Sequence, residues 1–198
     1  MIEITVQNAA IEYLKDLGYQ HKEGNSLNRD LKKVVLEDEL RNFLVSTYRD
    51  VPATAINEAM ANFTQHSGMD LDHRNRDFHR KLTQGISVSW KDKNGKELAK
   101  HLYPINYREP EKNQFICSDE VKVIGKNSRR ADLVIFINGL PLIVFEFKNM
   151  FDAEVGVDNA HRQIGHYLQD IPQLFDFNAI SIVSDGMQTL HGMYNSSL

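Results

Sequence analysis

Asp132, Glu146 and Lys148 stand in a stretch that otherwise has little use for polar groups: Arg129 to Asn149 reads RRADLVIFINGLPLIVFEFKN. Asp132 opens an apolar, β-branched run through Ile137, and Leu142 to Phe147 forms a second apolar run that carries Glu146 inside it. A buried ionised carboxylate is costly unless something positive meets it, so Glu146 needs a partner. Residues two apart on a strand share a face, which sets Lys148 beside Glu146. Two acids and an ammonium on one face suit metal-assisted phosphodiester hydrolysis. The carboxylates hold a hard cation such as Mg²⁺, the cation acidifies a bound water, and the lysine orients that water or steadies the developing charge.

The element that must bring these groups together is a hairpin, with Asn138-Gly139-Leu140-Pro141 as its turn. Its register decides the matter. A two-residue Asn138-Gly139 turn sets Asp132 opposite Phe145, whereas a three-residue Asn138-Gly139-Leu140 loop sets it opposite Glu146. The three-residue loop is the expectation here. A Glu-x-Lys alone is a common feature of solvated strand edges, and it gains weight only in company with Asp132, the turn and a Gln163/Tyr167 pair further on.

Asp, then Glu-x-Lys after a hairpin, is the motif of the PD-(D/E)xK nuclease superfamily. The surrounding words resemble the amino-terminal nuclease domain of the R (restriction, motor) subunit of type I restriction-modification enzymes. Gln163-Ile164-Gly165-His166-Tyr167 looks like that family's Q-x-x-x-Y motif, and Ile171-Pro172-Gln173-Leu174-Phe175 and Ser184-Asp185-Gly186 also fit. Ala131 stands where the superfamily name has proline, a departure that touches backbone shape rather than chemistry.

The resemblance implies an α/β fold of α+β character, a restriction-endonuclease-like core in which helices flank a mixed sheet. It implies one domain over 1–198, mainly helical in 1–85 and mixed-sheet in 86–198, forming the amino-terminal fragment of a longer subunit. Mg²⁺, with Mn²⁺ as substitute, is the implied cofactor, held by Asp132, Glu146 and the backbone carbonyl of Phe147. Gln163 and Tyr167 are implied to lie beside the metal, where they orient DNA or tie down the lysine. Enzymes of this superfamily often add an acid from the first helix; Glu3, Glu12 and Glu37 all remain open for that place.

The implied partners are duplex DNA and, through the full-length protein, modification and specificity subunits. ATP belongs to the full-length subunit: neither Gly95-Lys96 nor Gly125-Lys126 continues as a P-loop, so this chain is not expected to bind it. The same residues would also serve a PD-(D/E)xK domain of another helicase-linked DNA-processing protein. An inactive DNA-binding or docking module of this fold is a third reading, disfavoured because it has no reason to keep three costly polar groups on an apolar hairpin.

Helical spacing predicts a first helix over Thr5 to Leu17, ended by Gly18, and a polar connection over Tyr19 to Asn28. A second helix carries Val35, Leu36, Leu40, Phe43 and Leu44. A third opens at Pro52 and runs through Phe63, and a fourth spans Asp70 to Leu82. Strands are predicted at Ile86 to Trp90, Leu98 to Tyr103, Phe115 to Ile124 and Ala179 to Val183. Asp158 or Asn159 should cap a helix toward Gln169, and strand, helix, strand in that order implies a crossover onto one sheet.

The 198 residues, 41% of them hydrophobic, suffice for a sizeable core. No apolar run reaches the length of a membrane span and the start lacks a secretion signal, so a cytoplasmic protein without a membrane partner is expected. Cys117 is the only cysteine, which excludes internal disulfides and favours a buried thiol. A net charge of -4 is awkward for a DNA-handling protein unless the cations cluster. They do: Lys122, Lys126, Arg129 and Arg130 precede the hairpin, of which Lys126, Arg129 and Arg130 are the DNA-contact candidates, and Arg74, Arg76, Arg80 and Lys81 form a second group. Asp70, Asp72, His73 and His79 fit neither a zinc pair nor a calcium loop, and are read as a polar helix face.

Overall fold

The computed structural model describes the backbone of residues 2–148 and 157–196, and the side chains of 5–148 and 162–196. Helix α1 (Ile2–Asp16) starts earlier than its periodicity predicts and ends in a Schellman turn. Tyr19 N–H donates to the Leu14 carbonyl and Gly18 N–H to that of Lys15, with Gly18 at φ +93°. Leu17, expected in the buried stripe, is exposed. The polar segment after it was expected to be a connection, but residues Gln20–Glu23 form strand β1. Its four polar residues give no alternation because it lies at the sheet edge.

Helices α2 (Glu37–Thr47), α3 (Ala53–Thr64) and α4 (Leu71–Gln84) follow. Leu40, Phe43 and Leu44 form the buried face of α2, whereas Val35 and Leu36, expected on that helix, are buried ahead of it, with Leu36 at its N-cap. Pro52 precedes α3, and Asp70 caps α4 by accepting from His73 N–H. Strands β2 (Ile86–Lys91) and β3 (Glu97–Leu102) pair with each other in a two-stranded sheet of their own.

The main sheet takes β4 (Phe115–Ile124), β5 (Ser128–Ile137), β6 (Leu140–Phe147), β7 (Ile180–Ser184) and β8 (Thr189–Gly192), in the order β1-β4-β5-β6-β7-β8. It is mixed: β1 runs parallel to β4 and β6 parallel to β7, while the remaining pairs are antiparallel. Helix α5 (Val157–Asp170) lies between β6 and β7 in the chain, as a parallel crossover requires. Asp158 and Asn159 fall inside α5 rather than at its cap, which lies outside the described residues. Strand β8 was not expected; its exposed residues carry little pattern.

Apolar residues cover both faces of this sheet. On one, Ile11 and Leu14 of α1 meet Cys117, Leu133, Ile135 and Phe147. On the other, Val134, Phe136 and Val144 pack in a larger core that takes in α2, α3, α4 and the Ile164 and Tyr167 side of α5. This is an α/β protein whose mixed sheet is flanked by helices. Among the described residues no helix is long and apolar enough to cross a membrane.

Candidate active site

The hairpin of β5 and β6 turns through Asn138 and Gly139 alone, with Ile137 opposite Leu140. Both turn residues have positive φ, +50° and +82°, as a type I′ turn demands. Asn138 is fully buried, donating to the Pro104 carbonyl and to Asn113 Oδ1. A Cβ on Gly139 would stand 2.4 Å from the Leu36 carbonyl oxygen, so the turn is clamped beneath the entry to α2. The three-residue loop expected from the sequence is therefore wrong.

A β-bulge makes up the difference. Phe136 pairs with Pro141 but Ile135 pairs with Ile143, leaving Leu142 as an extra residue on β6. Pro141 has no N–H to offer the ladder, and the Leu142 carbonyl accepts instead from Ala179 N–H at 2.7 Å. Beyond the bulge the register has moved by one: Leu133 pairs with Phe145, and one step further Asp132 stands against Glu146. Asp132 Oδ2 accepts from Phe147 N–H at 2.7 Å. A strand residue directs its N–H and C=O to the same neighbour, so the Phe147 carbonyl also faces the Asp132 side.

Glu146 is 2% exposed. Its Oε1 accepts from Lys148 Nζ at 2.7 Å, and its Oε2 lies 2.8 Å from the Tyr167 hydroxyl. Burial pushes its carboxyl up to about 7, with the negative charge of Asp132 adding to the rise and Lys148 and Tyr167 opposing it. The Tyr167 hydroxyl also lies 2.8 Å from the Arg130 carbonyl, and it has one proton to give. Both contacts are satisfied together when Glu146 carries a proton, donating to Tyr167 while Tyr167 donates to Arg130. Burial, then the charges of Glu146 and Asp132, drive the Tyr167 phenol far above its ordinary value, so it stays protonated.

Gln163 and Tyr167 are one turn apart on α5 and both line the cleft, of about 510 Å³, that holds Asp132, Glu146 and Lys148. The last residue of α5 fixes this arrangement. Asp170 accepts from Asn127 Nδ2 and Arg129 Nε, both at 2.6 Å, and its carbonyl accepts from Lys126 N–H. The turn between β4 and β5 is thereby pinned to the helix that carries Tyr167.

The basic residues fare unequally. The Arg129 guanidinium is committed to Asp170, Arg130 pairs with Glu120, and Lys126 is exposed in the turn but does not line the cleft. Lys122, opposite Arg130 in the ladder, does line it. In the second basic group Arg74 pairs with Asp176, while Arg80 and Lys81 pair with Asp77, so most of that group is neutralised within the fold. Of the open acids, Glu12 pairs with Lys15 and Glu37 with Lys33, neither lining the cleft, and the Glu3 side chain lies outside the described residues. His73 bonds the capping Asp70 and His79 the Asn178 carbonyl, which suits the polar-face reading.

Two residues went unnoticed in the sequence. Gln7, buried on α1, donates to the Asp132 carbonyl at 3.1 Å; its place on the stripe with Ile11 and Leu14 was the available signal. Glu120 lies opposite Asp132 on β4, between the pairs Asp119–Leu133 and Val121–Ala131, and lines the cleft. An acid inside an apolar strand was the signal there.

A hard divalent cation suits this donor set. The Asp132 and Glu146 carboxylates both line one open cleft, oxygen ligands are what such a cation takes, and the raised Glu146 marks a place short of positive charge.

Compared with known proteins, residues 3–196 match the family model for the type I restriction enzyme R protein N terminus. A Methanocaldococcus jannaschii protein described as the MjaIXP type I restriction enzyme endonuclease subunit is 30% identical over 202 residues, covering 96% of this chain and 19% of that protein. The HindI endonuclease subunit of Haemophilus influenzae is 26% identical, covering 93% and 18%. A Staphylococcus aureus type I endonuclease subunit is 32% identical over a shorter match, covering 43% and 9%. The chain thus spans about a fifth of the length of the first two curated relatives. Matched by one family model over nearly its whole length, the chain belongs to the family of type I restriction enzyme R protein N termini.

Proposed function

We propose that this chain is the nuclease domain of a type I restriction endonuclease subunit, hydrolysing phosphodiester bonds of unmodified duplex DNA after translocation by ATP-driven domains outside it. The observation that carries the reading is the placement of Asp132 against Glu146, with Lys148 bonded to Glu146, on the floor of an open cleft. Asp132, Glu146 and the Phe147 carbonyl would hold Mg²⁺, or Mn²⁺ in its place. Bound there, the ion supplies an acidified water and charge for the phosphoryl oxygens.

The chain's own residues do the rest. Lys148 presents an ammonium beside the reacting phosphate, where it steadies developing negative charge and orients the attacking water. Tyr167 keeps its proton and, from its place between Glu146 and the Arg130 carbonyl, fixes the Glu146 carboxyl in one rotamer. Gln163 offers an amide to the DNA backbone, and Lys122 and Arg130 supply phosphate contacts at the rim. Sequence recognition is left to a separate specificity subunit, so the chain needs no base-reading element.

The test uses the full-length subunit assembled with its modification and specificity partners. Asp132→Ala, Glu146→Ala and Lys148→Ala should each abolish DNA cleavage while ATP hydrolysis and translocation continue. Full cleavage by Glu146→Ala or Lys148→Ala would overturn the reading.

A further inference from the structure

Glu120 faces an anionic substrate with the wrong charge, and the fold goes out of its way to put it there. Along β4, Ile116 and Val121 pack in the same core although they are an odd number of residues apart, and Ala131 and Val134 do likewise on β5. Side-chain alternation therefore slips on both strands at the Glu120/Asp132 level, while the pairing register runs through unchanged. On β4 the slip falls at Glu120, whose φ of +52° is a conformation that glycine or asparagine adopts far more readily. It is backed from behind: a Cβ on Gly24 would lie 2.4 Å and 2.5 Å from the carbonyl oxygens of Asp119 and Glu120, so only glycine fits against the kinked backbone.

The kink delivers the Glu120 carboxylate to Arg130 at the rim of the cleft. That pair is exposed, 67% at the arginine and 41% at the glutamate. Exposed pairs of this kind hold weakly, whereas a phosphate offers the guanidinium two parallel charge-assisted bonds. Arg130 also belongs to the site through its backbone, whose carbonyl lies 2.8 Å from the Tyr167 hydroxyl.

We propose that Glu120 is an exchangeable counter-ion for Arg130: it holds the guanidinium at the cleft rim until a DNA backbone phosphate displaces it, and so limits how tightly duplex is retained. The proposal rests on the nuclease reading above for its substrate, but not on the identity of the metal ligands. Glu120 acts here as a positioning residue, through Arg130 and not on the cation.

The experiment measures binding of a short duplex, without divalent cations and over a range of salt, by the wild-type chain, Glu120→Gln, Arg130→Ala and the double variant. Mn²⁺ affinity is measured on the same samples. Glu120→Gln should bind duplex ~1.5–5-fold more tightly, the worth of an exposed pair no longer in competition, with the gain largest at low salt. Arg130→Ala should bind more weakly, the double variant should match Arg130→Ala within about twofold, and Glu120→Gln should leave Mn²⁺ affinity where it was. The proposal is overturned if Glu120→Gln binds no tighter, if its gain survives without Arg130, if Mn²⁺ affinity falls, or if none of the four binds duplex. The nuclease reading fails on a different result, cleavage that survives loss of Glu146 or Lys148.

Discussion

Replacing Glu146 by glutamine should make the metal-free protein more stable, and the gain should depend on pH in a direction fixed by the site. The Glu146 carboxyl is raised from 4.5 to about 7 in the folded chain, chiefly by burial and secondly by Asp132. Below pH 4.5 it is protonated in both folded and unfolded states and costs nothing. Between the two values the folded state binds more protons than the unfolded one, so stability falls as pH rises, and the cost is complete above pH 7. At ~1.4 kcal/mol per pKa unit the full cost is roughly 3 kcal/mol. Glutamine mimics the protonated acid, its carbonyl accepting from Lys148 and its amide donating to Tyr167. For a domain of this size roughly 3 kcal/mol corresponds to a rise of ~6–12 °C in melting temperature. Thermal unfolding of wild type and Glu146→Gln in chelator, at pH 8 and pH 5, measures it: the large gain belongs at pH 8, and under ~1 kcal/mol should remain at pH 5. An unchanged or lowered melting temperature at pH 8, or equal gains at both pH values, would mean that the buried Glu146 charge does not destabilise the fold.

Three further outcomes follow from other parts of the structure. His66 sits edge-on to Phe78 and Phe177 with neither ring nitrogen hydrogen-bonded among the described residues, and burial and the positive charge of Lys81 push it down to about 4. It is protonated in the unfolded chain below pH 6.5 but not in the folded one, so stability is lost as pH falls from 6.5 toward 4; a His66→Phe variant should show a flatter acid limb in a melting-temperature profile. Gly139→Ala should lower stability by ~2 kcal/mol or more, since it meets both a φ of +82° and the Leu36 carbonyl; denaturant titration reads the change. The isolated chain, acidic overall and with Arg129 committed to Asp170, should bind duplex weakly, with a steep salt dependence and no sequence preference, as fluorescence anisotropy on unrelated duplexes can report.

How much of this was legible in the sequence depends on whether the deciding contact was local. Helices α2 to α4 carry their buried stripes in plain periodicity. The Asp132–Glu146 pairing was also anticipated, but through a loop the protein does not use. Asn138-Gly139 is a two-residue turn signal, and it makes a two-residue turn; the missing register step comes from Leu142. That bulge is hard to foresee, because what stabilises it is a hydrogen bond from Ala179, far along the chain and on the way into β7. Strand β1 hid for a related reason: Gln20 to Glu23 has no apolar face, and becomes a strand only because β4 offers it an edge. Arg129 is the clearest limit on reading charge from sequence. Its run of cations looks like a DNA contact until Asp170, brought beside it by the fold, is seen to take the guanidinium. The same fold made Glu120 a neighbour of Asp132, which no spacing rule links.

The proposed cation site at Asp132 and Glu146 can be seen by anomalous diffraction from crystals of this chain grown or soaked in Mn²⁺. One strong peak is expected between the Asp132 and Glu146 carboxylates, with the Phe147 carbonyl as a third protein ligand and waters completing the shell, and it should disappear in Asp132→Ala crystals. Mn²⁺ bound elsewhere with none at that position, or the same peak persisting without Asp132, would contradict the proposed site.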